Sequence, residues 1–151
     1  MPEKIKLIKF NIRDISERYI SWLKDPLIVR YTRIKETKIE KIIHYVLQNT
    51  TNKNVIFLKI LFNKDHIGNV RLFIKRKTIS LAIIIGDKKY HGRGIGTEVI
   101  RKLIKRIKKI KKIKRVEAFI HKLNYKSVAI FEKNNFTKDN KIDGKWIFNL
   151  E

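Results

Sequence analysis

Hydrophobic positions recur along the chain at two spacings, and the switches between them predict its elements. In residues 4–10, Ile5 and Leu7 alternate with charges, and Lys9 is the next position on that face; this is the period of a half-buried strand. Asp14 or Ser16 can cap a helix in which Ile15, Tyr19, Ile20, Trp22 and Leu23 share one face. Asp25-Pro26 ends it, because the residue before a proline is pushed out of helical geometry. Thr37 opens a second helix with Ile39, Ile42, Ile43, Val46 and Leu47 at helical spacing. Glu40 completes a capping box with Thr37, and the polar run 48–54 closes the helix.

The period then changes to two. Residues 55–62, 66–74 and 78–85 are strand-like, separated by Asn63-Lys64-Asp65 and by residues 75–77, so they form an antiparallel meander. Gly68 and Gly86 mark a bulge or a close backbone approach. From Thr97 the helical period returns: Val99, Ile100, Leu103, Ile104, Ile107 and Ile110 trace an apolar stripe, with Lys and Arg opposite. Residues 115–121 form the next strand. Residues 124–135 form a helix carrying Val128, Ile130 and Phe131, followed by Phe136, then a turn at 140–144 and a strand at 145–150. The order β-α-α-β-β-β-α-β-α-β-β predicts one mixed sheet with helices on both faces and a single domain over 1–151.

Composition changes this picture little. The 151 residues include 43% hydrophobic and 10% aromatic side chains, enough for one core. No cysteine is present, so disulfides and thiolate metal sites are excluded and a reducing compartment is expected. No apolar run approaches the roughly 20 residues of a membrane span. The first ten residues, MPEKIKLIKF, lack the apolar centre of a signal peptide. A cytoplasmic location is expected, with no membrane partner. The net charge of +23 comes from 37 Lys and Arg against 14 Asp and Glu. It is spread along the chain, densest at 101–115, and reads as compositional drift toward Ile and Lys and as a solvated helix face, not as a nucleic-acid arm. A basic surface still gathers polyphosphate ligands.

The candidate chemistry lies in the stretch IIIGDKKYHGRGIGTEVIRKLI, residues 83–104, a strand leading through a glycine loop into a helix. Amides at a helix N-terminus make an anion site, and Gly92, Gly94 and Gly96 remove side chains where a ligand can press on main chain. Gly96-Thr97-Glu98 is not the Gly-Lys-Ser/Thr of a Walker loop, and the spacing from Gly92 to Gly96 is not that of a dinucleotide fingerprint. The run IGDKKYHGRGIGTEVI resembles the acetyl-CoA loop of the GCN5-related N-acetyltransferases, whose pattern is Q/R-x-x-G-x-G/A, with His91 at the Q/R position. Downstream, LNYKSVAIFEKNNF resembles that family's second signature through Asn124, Ser127, Lys133 and Phe136. Near the front, SWLKDPLIVRYTR is similar to the branch holding ribosomal-protein, spermidine and sugar-nucleotide acetyltransferases.

The resemblance implies an α/β (α+β) fold of this family, a single mixed, mostly antiparallel, splayed seven-stranded sheet flanked by about four helices. It implies acetyl-CoA as acyl donor and no metal. Its cofactor residues would be Ile84, Ile85 and Gly86 on the strand, His91, Gly92, Arg93, Gly94, Ile95, Gly96 and Thr97 in the loop, and Asn124 and Phe131. The reaction is direct attack of a free amine on the thioester. The family's usual acid, a tyrosine, is replaced here by Phe131, and a glutamate base of some relatives by about Phe119. Tyr125 and Tyr90 are then candidate acids and His121 a candidate base, since an unperturbed imidazole titrates near pH 6.5. Glu117 shares the face of His121, and Asp87 reads as a loop cap. Trp22, Tyr31, Arg33 and Glu36 are the acceptor-side residues by analogy. The expected acceptor is a small amine, preferably an amino sugar on a nucleotide carrier. N-terminal acetylation of a ribosomal protein and a non-catalytic CoA- or nucleic-acid-binding module are the alternatives. Nucleic acid is not the expected partner, and a homodimer is compatible with the family.

Overall fold

The computed structural model describes residues 4–32, 34 and 38–150. Its strands are β1 (Ile5–Lys9), β2 (Val55–Phe62), β3 (Asp65–Lys75), β4 (Thr78–Ile85), β5 (Arg115–Phe119), β6 (Thr137–Lys138) and β7 (Lys145–Asn149). Its helices are α1 (Glu17–Lys24), α2 (Pro26–Val29), α3 (Ile39–Thr51), α4 (Ile95–Ile107) and α5 (Tyr125–Lys133). Seven strands form one sheet in the order β1-β2-β3-β4-β5-β7-β6. Only β4 and β5 run parallel among the registered pairs; β1 with β2, β5 with β7 and β6 with β7 are antiparallel. This is the seven-stranded, mostly antiparallel sheet expected from the sequence, with five helices in place of about four.

The chain clusters into two compact units, one of residues 1–71 with 83–90, the other of 72–82 with 91–151. The first holds an aromatic core of Phe10, Tyr19, Trp22, Leu23, Ile42, Val46 and Phe57. Its helices start where short polar side chains satisfy orphan amides: Asn11 and Asp14 box a 3-10 turn, Ser16 Oγ accepts from Tyr19 N, and Asp25 Oδ1 accepts from Leu27 N. Asp25 therefore both ends α1 and caps α2, a four-residue helix that periodicity is too short to reveal. The Thr37 capping box lies outside the described residues, and α3 starts from Lys38 without a side-chain cap. The polar run 48–54 closes α3, which ends within it at Thr51; the Thr50 and Thr51 hydroxyls there donate back to carbonyls one turn earlier.

In the second unit, Ile79, Val99, Ile100, Leu103, Ile107, Val116 and Phe131 are at most 2% exposed. Burying each such side chain contributes roughly 1.5–3 kcal/mol before chain entropy is counted. The apolar stripe read in α4 is its buried face. Two boundaries differ from expectation in ways that affect function. α4 begins at Ile95, two residues before Thr97, so Gly94 is its cap. β5 stops at Phe119, so His121 lies past the strand instead of on its face.

Candidate active site

β4 and β5 pair over only three residues, Thr78 to Ser80 against Arg115 to Glu117. β5 runs on to Phe119 paired with β7, and β4 runs on to Ile85. A parallel pair that stops early is the splay implied by the resemblance. Below the split, Glu117 Oε1 accepts from Ser80 Oγ at 3.0 Å and Oε2 pairs with Lys145 Nζ at 3.1 Å. Both Glu117 and Lys145 are mostly shielded from solvent. Glu117 is thus committed to two partners and serves the sheet, leaving the exposed Phe119 as the next side chain on that face.

The glycine loop has the geometry of an anion cradle. Gly92 and Gly94 adopt φ of 71° and 77°, in the left-handed region. A Cβ at either would meet nothing within 4 Å, so backbone conformation and not crowding demands glycine there. Gly94 gives α4 no side-chain cap, and the first intrahelical bond is Glu98 N to Gly94 O. The amides of Ile95, Gly96 and Thr97 precede it, so they suit an external anion. Glu98 is the acid of the first turn; the hydrogen bond from Arg101 holds its carboxyl below the usual range and answers its charge. Arg93 is exposed in the loop and His91 half-buried. These residues fit a pyrophosphate and fit the donor that the resemblance implies.

Gly96 also has a packing task. A Cβ there would lie 2.7 Å from Ile130 Cδ1, so this glycine lets α5 pack on the first turn of α4. Asn134, which the sequence reading missed, locks the same contact by donating to Thr97 O at 3.1 Å and to Ile130 O at 2.9 Å. An asparagine at a helix end reads only as a stop signal; its reach to another helix is not encoded locally. Ile95 is 5% exposed, so it can offer a ligand its amide alone.

In the first unit, the end of β4 is shaped by two close approaches. Gly86 N and Asp87 N both donate to Ile67 O, at 2.8 and 3.2 Å, which is a bulge. A Cβ on Gly68 would lie 2.1 Å from Ile84 O, and one on Gly86 would lie 2.0 Å from Trp22 Cδ2. Ile84 and Ile85 are half-buried, and Asp87 caps the following turn through Lys89 N as read. Trp22 is 6% exposed, within the cluster of Tyr19 and His66. The ring of Trp22, expected on the acceptor side, packs against Gly86. Tyr31 is half-buried, with the Arg30 guanidinium 4.8 Å over its ring. Arg33 and Glu36 lie outside the described residues.

The predicted catalytic residues follow β5. His121 is exposed in the turn, and its Nδ1 accepts from Leu123 N at 3.1 Å. That contact places the proton of the neutral ring on Nε2, so the ring presents a donor, and action as a base requires the Leu123 contact to open. Asn124 caps α5 through Ser127 N at 3.3 Å. Tyr125 is 71% exposed at the first position of α5. Phe131 is 2% exposed, and its ring meets Phe136 edge-on at 4.9 Å. The ring of Phe131, expected beside the cofactor, packs in the core, where a phenylalanine is stable. Tyr90, the other acid candidate, is 8% exposed and its hydroxyl contacts Asp65. Among the described residues no group of His, Cys, Asp or Glu is placed to hold a metal ion, and no helix is long and apolar enough to cross a membrane.

The profile of the acetyltransferase (GNAT) domain matches residues 4–137. No protein of curated function matches the sequence significantly. Among solved structures, a domain from Methanocaldococcus jannaschii is 25% identical, with a TM-score of 0.81 over 97% of this chain and 98% of that one. An aminoglycoside acetyltransferase in complex with coenzyme A is 13% identical, with a TM-score of 0.84 over 96% of this chain and 94% of its own. A ribosomal-protein alpha-N-acetyltransferase, also in complex with coenzyme A, is 13% identical at a TM-score of 0.80 over 97% and 94%. With a family profile covering most of the chain on this splayed sheet and glycine cradle, the chain belongs to the GNAT family and is an N-acetyltransferase that uses acetyl-CoA as acyl donor.

Proposed function

We propose that the chain acetylates the primary amine of a small acceptor, by preference an amino sugar on a nucleotide carrier. The observation that carries this reading is the pairing of an uncapped α4 N-terminus with exposed aromatic side chains at the ends of β5 and α5, Phe119 and Tyr125. Sugars offer an apolar C–H face to aromatic rings, and a strongly basic surface favours an acceptor that carries phosphates. In this reading the amides of Gly92 to Thr97 and the Arg93 guanidinium hold the pyrophosphate, with His91 beside them. Within the first unit, Ile84, Ile85 and Gly86 offer backbone to the pantetheine amides; Asn124, which caps α5 in the second unit, is a cofactor residue by resemblance. The resemblance alone assigns Trp22, Tyr31, Arg33 and Glu36 to the acceptor.

The amine nitrogen forms a bond to the thioester carbon, the carbon–sulfur bond breaks, and a proton passes from nitrogen to the departing sulfur. Tyr125 relays that proton: its hydroxyl protonates the sulfur and takes up the proton released from nitrogen. His121 donates from Nε2 toward the thioester oxygen and becomes a base only when the Leu123 amide lets go of Nδ1.

The test is acetyl-CoA-dependent thiol release with amino-sugar nucleotides, unlinked amino sugars, polyamines and N-terminal peptides of ribosomal proteins as acceptors. Amino-sugar nucleotides should turn over with the highest kcat/KM, and Tyr125→Phe should lower kcat by about 100-fold with KM little changed. Turnover of the peptides alone would replace the sugar acceptor with a protein N-terminus, and an unaltered Tyr125→Phe enzyme would remove the acid.

A further inference from the structure

Ten of the fifteen residues from Arg101 to Arg115 are Lys or Arg, and residues 99–116 contain no acid. Taken as a helix, this run is half solvated face and half core. The structure changes its meaning because the run does not end with the helix. α4 stops at Ile107, and a loop carries Lys108, Lys109, Lys111, Lys112 and Lys114, all exposed, back to β5. The same loop is bonded to the turn between β3 and β4: Lys114 N and Arg115 N donate to Lys77 O at 2.8 and 3.3 Å. That turn is Lys75-Arg76-Lys77, also exposed and free of acids. Two basic segments about 30 residues apart in sequence therefore lie side by side at one end of the second unit.

Some of this charge is answered locally. Lys105 and Arg106 complement the negative end of the α4 dipole, and Lys108 Nζ lies 5.6 Å over the Phe148 ring. The flanking acids are spoken for, Glu98 by Arg101 and Glu117 by Lys145. Holding this many like charges together costs free energy that a polyanion would recover by releasing its counterions.

We propose that this end of the molecule docks on the phosphate backbone of a nucleic-acid duplex. The patch presents no large exposed hydrophobic residue: Ile113 is 3% exposed and Ile110 half-buried. A single strand would be held by stacking on exposed aromatic rings, and an anionic membrane by inserted apolar side chains; the Phe148 ring beside the patch is half-buried beneath Lys108. Lysine-dominated contact with a duplex backbone requires only charge and is sequence-independent. The thirteen residues of α4 separate the patch from the Gly94 cradle by about 20 Å along the helix, so docking leaves acetyl transfer untouched. This activity goes beyond the acceptor chemistry proposed above and does not depend on it.

The experiment measures anisotropy of a fluorescent 20-base-pair DNA duplex with the full chain as salt is raised from 50 to 200 mM. The patch variant is Lys105→Gln/Lys109→Gln/Lys111→Gln/Lys112→Gln. The control removes the same charge from exposed lysines of the first unit, Lys6→Gln/Lys9→Gln/Lys41→Gln/Lys53→Gln. Acetyl-CoA binding reports that each variant is folded. The patch variant should bind the duplex at least about tenfold more weakly and reduce the slope of log affinity against log salt by about 3, while the control changes little. Equal losses in both variants would overturn the proposal in favour of overall charge. So would single-stranded DNA or phosphatidylserine vesicles competing as well as the duplex.

Discussion

At the scale of single residues, the side chains nearest the donor strand do structural work that sets the strand's shape. Trp22 is pressed against Gly86, and Trp22, Tyr19 and Phe10 surround His66. His66 Nε2 lies 3.0 Å from both Gly68 O and Asn69 Oδ1. Burial pushes the His66 pKa below the ordinary value, against the pull of those hydrogen bonds. A depressed histidine pKa means that the unfolded chain binds the proton more readily. Stability is therefore complete above about pH 6.5 and falls as the pH drops toward the depressed value, with a slope approaching about 1.4 kcal/mol per unit. Urea midpoints measured between pH 7.5 and 5 should decline in the wild type and decline less in His66→Gln. Parallel curves would show that this imidazole is not the titrating group.

At the scale of elements, the contact that holds the cradle open is α4 on α5. Gly96 makes room for Ile130, and Asn134 ties Thr97 to the end of α5. Gly96→Ala should gain about 1 kcal/mol in helix propensity and lose a comparable or larger amount to the Ile130 clash. Ile130→Val removes the offending Cδ1, so the double variant should be more stable than additivity predicts, by at least about 0.5 kcal/mol. Urea denaturation of the four proteins completes the cycle; additive changes would mean that the helices relax apart without cost.

At the scale of the whole molecule, acetyl-CoA should behave as a folding ligand, since its proposed contacts converge only in the native state. At a concentration about 100 times its Kd it should add about 2.7 kcal/mol, or roughly 5–10 °C of melting temperature. A Gly94→Ala variant should fold yet lose most of this shift, because its alanine must hold a φ of 77°. Retention of the full shift by that variant would place the pyrophosphate elsewhere.

What the sequence determined by itself was whatever depends on neighbours in the chain. Period-two runs became strands and period-3.6 runs helices because burial of one face selects those spacings; β2 and β4 have the very bounds read from the pattern. The glycine loop was legible for the same reason, since its left-handed backbone is local, and its family carried over to a matching profile. Tertiary structure decided which of the marked side chains face outward. Trp22 and Phe131 went to the core, Gly96 proved to serve Ile130, and His121 moved off its strand and turned its lone pair to Leu123. The basic run at 101–115 read as a solvated face until folding set the 75–77 turn beside it. Each of these outcomes rests on a contact between residues far apart in sequence, and periodicity along one segment carries no information about its partner.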